Sequence, residues 1–193
     1  EIEKVVDIYK LGNFNEAESY CLKLISKNPK VVFLYNLMGV ISISLKKNED
    51  AERYYIKGIK IDPKFPMLYI NLANLYFKNN KDGNIKKVED LYKKAISLNR
   101  EIAEPHNNLG NLYTYVNKFE MAIKSYQAAI NLNPKFAFAY HNLANTYVTT
   151  GNLVKAQENF KKAIELDPNF TPSHRSLSRL KKYNSKDKHI EQM

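Results

Sequence analysis

The chain has 193 residues, and 30 Lys and Arg against 20 Asp and Glu give it a formal net charge of +10. A hydrophobic content of 44% with 12% aromatic residues excludes a chain that is disordered throughout. The only cysteine, Cys21, excludes an intrachain disulfide and a cysteine-rich zinc site, and we expect it to be buried as a small apolar side chain.

Helices are favoured over strands along the whole chain. Only six Gly and seven Pro interrupt it, and apolar residues recur every three or four positions between them. No apolar run is long enough to cross a membrane, and residues 1–7 are charged rather than signal-like. We therefore expect a cytoplasmic protein without membrane contact. Its first residue is Glu1 rather than Met, so whether it is a piece of a longer protein stays open.

A sequence period appears when the chain is compared with itself. An Asn-Pro or Asp-Pro pair follows an amphipathic stretch at Pro29, Pro63, Pro134 and Pro168, at intervals of 34, 71 and 34 residues. The middle interval thus holds two periods, one of them three residues longer. Between the prolines, similar segments recur as YINLANLYF, HNNLGNLYT and YHNLANTYV. A fixed period of this length is typical of stacked helical repeats.

The recurring residues resemble the tetratricopeptide repeat, whose pattern contains W-x2-L-G-x2-Y, A-x3-F and a closing proline. Two stretches match it most fully: one holds His106, Leu109, Gly110, Tyr113, Ala122, Tyr126, Ala129 and Pro134, and the other holds Tyr140, Leu143, Ala144, Tyr147, Ala156, Phe160, Ala163 and Pro168. The resemblance covers about residues 1–183. It implies an all-α, right-handed α-solenoid of about five helix-turn-helix repeats and a C-terminal capping helix.

The repeat boundaries follow from the same pattern, in chain order. We expect repeats at about 1–31, 32–65, 66–102, 103–136 and 137–170, a capping helix at 172–183, and a polar tail or the start of a linker at 184–193. The three extra residues predict a longer loop near 79–84. Small residues such as Gly110 are expected to let paired helices approach, so that Tyr113 and Tyr126 interleave.

The resemblance also implies a concave groove, lined by the face of each first helix that lies opposite the signature residues. A protein or peptide partner is expected to bind there in extended form. Asparagines form two rows along this face, whose amides match the N–H and C=O of a peptide backbone; the alternative is a solvated consensus face. The rows are Asn74, Asn111 and Asn145, and Asn71, Asn108 and Asn142. The other predicted peptide-binding residues are Phe33, Asn36, Met67, Ile70, Phe77, Asn107, Tyr115, Phe138 and His141.

The function predicted from these features is that of a protein-interaction scaffold, without enzymatic activity, cofactor or metal. No nucleophile, base and orienting residue stand together in the pattern, and no HxxxH pair or phosphate-binding loop occurs. The main alternative is the substrate-recruiting repeat region of a larger enzyme, such as a glycosyl or sulfo transferase. Nucleic-acid binding ranks lower, because lysine pairs such as Lys86-Lys87 and Lys161-Lys162 are expected on the outer surface. Self-association through the ends of the array stays open.

Overall fold

The computed structural model of the chain describes residues 1–79 and 85–190, with side chains described through residue 180. All regular structure within these residues is α-helical, which confirms the predicted all-α class. None of the described helices is long and apolar enough to cross a lipid bilayer. The helices are α1 (Ile2–Lys10), α2 (Phe14–Lys27), α3 (Val32–Ser44), α4 (Asn48–Ile61), α5 (Pro66–Asn79), α6 (Ile85–Leu98), α7 (Glu104–Tyr115), α8 (Phe119–Leu132), α9 (Ala137–Thr149), α10 (Leu153–Leu166) and α11 (Thr171–Ile190).

The helices form two compact halves, residues 1–100 with α1–α6 and residues 101–193 with α7–α11. Within each half, consecutive helices pack in pairs, and each predicted repeat range contains one pair. First helices of neighbouring pairs also touch: α3 contacts α5, α7 contacts α9, and α9 contacts α11. Each half therefore has a row of first helices, and the second helices α4 and α8 each pack against both the first helix of their own pair and the next one.

The turn inside a helix pair has the same backbone geometry in four repeats. Gly12, Lys46, Asn117 and Gly151 have φ values of 81°, 62°, 59° and 79°. In each turn the next N–H donates to the carbonyl oxygen five residues earlier, at 2.8–3.2 Å. This is the left-handed ending of an α-helix, which glycine adopts freely and which Asn and Lys adopt at a small energetic cost. The repeat therefore specifies where the first helix stops.

The Asp-Pro and Asn-Pro pairs form the other turn, which joins one repeat to the next. The helices α4, α8 and α10 each end two residues before the proline. A side-chain oxygen of Asp62, Asn133 and Asp167 accepts a hydrogen bond from the backbone N–H two residues later, at 2.8, 3.1 and 3.1 Å. This local bond competes with the helix, and the following proline cannot continue it. Both residues of the motif thus end the second helix.

The large residue of the repeat pattern is bonded to that same turn. The hydroxyls of Tyr35 and Tyr69 donate to the proline carbonyl oxygen six residues earlier, each at 2.9 Å. The Nε2 atom of His174 lies 2.9 Å from the equivalent carbonyl oxygen. The aromatic position therefore fastens the start of a first helix to the turn that precedes it.

Glycines on the first helices make room for aromatic rings on the second helices. A Cβ built at Gly110 would lie 2.6 Å from Cδ1 of Tyr126, and one built at Gly39 would lie 2.6 Å from Cδ1 of Tyr55. Real Cβ atoms do not come that close, so a larger residue must displace the ring. Both rings are only 2% exposed. The expected close approach is thus observed between Gly110 and Tyr126, whereas the interleaving of Tyr113 with Tyr126 stays a prediction.

The last helix is longer than expected. A capping helix at 172–183 was predicted, whereas α11 runs from Thr171 to Ile190 and includes most of the expected tail. From residue 173 to residue 190 the sequence contains no Gly or Pro, so nothing in it ends the helix. The predicted loop near 79–84 lies, from residue 80 onward, outside the described residues.

Replacing Gly110 by Val is expected to lower the free energy of unfolding by about 1–3 kcal/mol, because the ring of Tyr126 must move in a packed core. The measurement is urea unfolding followed by circular dichroism. Gly110→Ala adds only the Cβ, which already requires a shift of the ring, and should cost less than Gly110→Val, since the equivalent positions of the neighbouring repeats hold Ala73 and Ala144. A Val variant as stable as the wild type would contradict the packing.

Cys21 is predicted to resist a thiol reagent in the folded protein. Its side chain is fully buried, its Sγ lies 3.6 Å from the carbonyl oxygen of Leu34, and burial raises the pKa of the thiol to about 12. Reaction with Ellman's reagent at pH 8 should therefore be limited by opening of the N-terminal half. A control chain with Cys21→Ala and Leu22→Cys should react at once, because Leu22 is 43% exposed. Equal rates for the two chains would contradict the burial.

Candidate functional site

All of the predicted peptide-binding residues lie on first helices. Phe33 and Asn36 belong to α3, the group from Met67 to Phe77 to α5, the group from Asn107 to Tyr115 to α7, and the group from Phe138 to Asn145 to α9. The first two helices are in the N-terminal half and the last two in the C-terminal half. The structure therefore gives two candidate surfaces, one in each half.

In the N-terminal half, the asparagines bind one another and a buried tyrosine. The Nδ2 of Asn71 donates to the Oδ1 of Asn36 at 2.8 Å, which links α5 to α3. The hydroxyl of Tyr92, on α6, donates to the Oδ1 of Asn74 at 2.6 Å. These side chains thus hold helices together as well as facing the surface.

The prediction that Ile70 lines the groove is wrong. Its side chain is fully buried, and a ligand cannot touch it without rearranging the core. The reason is that α5 packs against α3, α4 and α6 and buries half of its residues. The face left for a ligand is therefore narrower than helical spacing alone predicts. Met67 and Phe77 are partly exposed.

In the C-terminal half, the amides form a branched network. The Nδ2 of Asn142 donates to the Oδ1 atoms of Asn107 and Asn111, each at 3.1 Å. The hydroxyl of Tyr126 donates to the Oδ1 of Asn111 at 2.8 Å, and the Nδ2 of Asn107 donates to the Oδ1 of Asn108 at 3.3 Å. Asn107 itself is only 6% exposed. This network joins α7, α8 and α9.

The same inter-repeat bond occurs in both halves. Asn36 and Asn71 stand in their repeats where Asn107 and Asn142 stand in theirs. The pairing with a tyrosine of the second helix also recurs, in Asn74 with Tyr92 and in Asn111 with Tyr126. The repeat pattern alone does not predict this structural role of the asparagines. One sequence feature could have indicated this role. A tyrosine recurs on the second helix of both repeats, as Tyr92 and Tyr126, and its hydroxyl can bind the asparagine of the first helix.

Three aromatic residues of the predicted site are exposed to solvent. Phe33 is 40% exposed, Tyr115 is 40% exposed and Phe138 is 57% exposed. The ring of Phe138 also packs edge-on against the buried ring of Phe170, with 4.6 Å between the centroids. One side of the Phe138 ring thus packs against Phe170, and the other side faces solvent.

His141 is bound by the protein itself rather than left for a ligand. Its Nδ1 lies 2.8 Å from the Oγ of Ser173, and its Nε2 lies 2.9 Å from the Nδ2 of Asn145. An amide nitrogen only donates, so Nε2 accepts and Nδ1 carries the proton. Its ring also meets Phe170 edge-on at 5.2 Å, and burial lowers its pKa. His141 is therefore neutral at neutral pH and joins α9 to α11.

Several of the lysines are paired with neighbouring groups on the second helices. Lys86 pairs with Asp90 at 2.9 Å, Lys162 pairs with Glu165 at 2.9 Å, and Lys87 lies 4.0 Å from the ring centroid of Tyr76. Lys86 and Lys87 are on α6, and Lys162 is on α10, both of them second helices. Lysines that pair with an acid or an aromatic ring in this way are typical of a solvated face rather than of a phosphate-binding surface.

Metal binding has no support in the described part of the chain. No group of three or more His, Cys, Asp and Glu side chains comes together there in an arrangement that could hold an ion. The first helices instead present amides, aromatic rings and aliphatic side chains, which are suited to binding a peptide or protein.

Models of known protein families match three parts of the chain. Two models, each described as Tetratricopeptide repeat, match residues 34–65 and 137–170. A third, described as TPR repeat, matches residues 110–151. Among curated proteins, the uncharacterized protein ycf37 of Pyropia yezoensis is 32% identical over 78 residues, which are 40% of this chain and 42% of that protein. The match thus spans less than half of that relative.

Solved structures share the fold over nearly the whole chain. TTC0263, a thermophilic TPR protein of Thermus thermophilus, is 19% identical with a TM-score of 0.76, and the match covers 93% of this chain and 96% of that one. YrrB, described as a TPR protein with an unusual peptide-binding site, is 18% identical with a TM-score of 0.67, and the match covers 91% and 89%. At such identities the likeness establishes the fold alone, and it confirms the predicted solenoid class. With the family matches, it follows that the chain is a tetratricopeptide repeat protein, a scaffold of the protein-interaction type.

Proposed function

We propose that the first helices of each half bind an extended segment of a partner protein or peptide. The supporting observation is the placement of the exposed aromatic side chains. Among the described residues, the Phe and Tyr side chains most exposed to solvent are those of Phe33, Tyr115 and Phe138. All three lie on first helices. Exposed aromatic side chains are enriched where proteins bind partners. The row of first helices is therefore the favoured binding surface.

Amide groups beside these rings supply the polar part of the proposed contact. A primary amide has two N–H donors and a carbonyl oxygen with two acceptor sites. Asn145 is exposed and donates one N–H to His141, so its carbonyl oxygen offers an acceptor to the backbone of a bound segment. Asn142, by contrast, uses its amide nitrogen on two neighbouring asparagines. Binding and repeat stacking are thus assigned to different members of the asparagine rows.

A peptide ligand is consistent with what is described for a structural neighbour. YrrB, which shares the fold, is described as having an unusual peptide-binding site. The present chain carries apolar and amide groups on the same row of helices, which is the combination that an extended peptide requires.

Phe138→Glu is predicted to weaken peptide binding about tenfold or more, because it removes an apolar anchor and introduces a charge. Peptides of twelve random residues would first be selected by phage display on the wild-type chain. Their affinities for the wild type and the variant would then be measured by fluorescence anisotropy. Circular dichroism should show that the variant remains folded.

Val154→Glu is the matched control for this substitution. Val154 is 71% exposed but lies on the second helix α10. Its replacement should leave the affinity within about twofold, since a surface change away from the contact has little effect. The proposal is wrong if no peptide is selected, or if both variants bind the selected peptides as the wild type does.

Two asparagines of α9 are predicted to respond differently to replacement by alanine. Asn142→Ala should lower the free energy of unfolding by about 1–2 kcal/mol, because two hydrogen bonds to the preceding repeat are lost. Asn145→Ala should cost less stability but weaken peptide binding. Thermal unfolding and anisotropy with the selected peptides measure the two effects. The same pattern for both variants would contradict the division of roles.

A further inference from the structure

A cavity of about 590 Å³ lies in the C-terminal half, between α9, α10 and α11. Its apolar walls are formed by Val148, Leu153, Phe160 and Leu180. Phe160 and Leu180 are buried, whereas Val148 is 40% exposed at the rim. This volume falls within the range of pockets that hold organic ligands or the anchoring side chains of a partner. The cavity is therefore large enough to receive a bulky apolar side chain.

The preceding repeat junction in the same half is filled by a polar network. There the hydroxyl of Tyr126 donates to Asn111 at 2.8 Å and lies 3.2 Å from the Oγ1 of Thr114. The Oγ1 of Thr114 in turn lies 3.4 Å from the Oγ1 of Thr146. Three hydroxyl groups thus meet one another between the two repeats.

At the last junction each of these hydroxyl groups is missing. Phe160, Val148 and Leu180 stand 34 residues after Tyr126, Thr114 and Thr146, respectively. Hydrocarbon replaces all three hydroxyls, so this part of the cavity wall offers no hydrogen bond to water, and the polar side chains of the lining are those of Asn145, Ser176 and Arg179. An apolar side chain packed against Val148, Phe160 and Leu180 would gain from leaving water without displacing a hydrogen bond to these three residues.

A cation marks one side of this cavity. Arg179 is exposed on α11, lines the cavity, and occupies the position at which Asn145 stands one repeat earlier. None of the ion pairs among the described residues involves it, and α9 opposite contains no Asp or Glu. An equivalent cavity of about 250 Å³ in the N-terminal half has Asn74 at this position. The larger cavity therefore combines apolar walls with an arginine that has no acidic partner among the side chains described, which extend to residue 180.

We propose that this cavity binds the segment of a partner protein in which a Leu or Phe side chain stands next to an Asp or Glu. The apolar side chain occupies the space between Val148 and Phe160, and Arg179 binds the carboxylate. The proposal rests on the proposed function, because Asn145 belongs both to the cavity lining and to the amide row of α9. A segment that runs along the first helices thus reaches the cavity directly.

The test uses the full chain and the dye-labelled peptides selected by phage display. In each selected peptide, the residues Leu or Phe are changed to Ala, and Asp or Glu to Asn or Gln, one at a time. The selected peptides should share an apolar residue beside an acidic one, and either change should reduce affinity about tenfold. Val148→Trp fills the cavity from its rim and should reduce the affinity of the unchanged peptide by a similar factor.

Arg179→Gln should abolish the difference between the acidic peptide and its amide analogue, which a loss of folding would not do selectively. Arg175→Gln, one turn earlier on α11 and outside the cavity lining, should preserve that difference. Val154→Trp, on the exposed face of α10, is the control for Val148→Trp and should bind as the wild type does. Melting curves of all four variants accompany the affinities.

The outcomes separate this inference from the proposed function. If Phe138→Glu weakens binding but Val148→Trp does not, the scaffold binds peptides elsewhere and the cavity assignment is wrong. Persistence of the acid preference in Arg179→Gln also overturns it. If the free acid 4-methylpentanoate binds as tightly as the peptides, the site is one for small acids and not for a partner segment. If no peptide is selected, both proposals fall together.

Discussion

The contact between a residue of minimal size on a first helix and an aromatic ring on its second helix is the constraint on which each repeat depends. At Gly39 and Gly110 the ring of Tyr55 or Tyr126 lies where a Cβ would be. This approach brings the paired helices close together, and at Tyr126 it places the hydroxyl beside Asn111 and Thr114 on the first helix of the same repeat. The Tyr126 hydroxyl donates to Asn111 in the asparagine network, and Phe160, which has no hydroxyl at the equivalent position, lines the cavity. Packing inside a repeat therefore determines what its surface offers.

Much of the fold could be predicted from sequence because its determinants are local. The Asp or Asn before each proline accepts a hydrogen bond from the backbone N–H two residues later, which helps to end the second helix. Small and aromatic residues also recur at fixed spacing. The length of α11 could not be predicted in this way. Its polar composition predicts a tail from residue 184, although no Gly or Pro between residues 173 and 190 breaks the helix.

The candidate site was predicted less well, because its side chains depend on neighbours 15–35 residues away. Helical spacing placed Ile70 on the open face, but packing against three other helices buries it. The asparagines were expected to await a backbone ligand, and several instead bind one another or a tyrosine, as Asn36 does with Asn71. The cavity beside Arg179 is a further case. Its apolar wall results from the replacement of three hydroxyl-bearing residues together, and single positions of the pattern do not reveal that.

Within each half, the described helices pack against helices that lie one or two places away along the chain. Contacts of such short sequence separation give a low contact order, and closing the intervening loops costs little entropy. Helical proteins of this kind fold within microseconds to milliseconds. Since each repeat interacts with its neighbours, folding can begin at any well-formed repeat and spread along the half in either direction. A destabilising substitution in one repeat therefore slows the spread of folding through that repeat. Repeats farther away can still begin to fold independently.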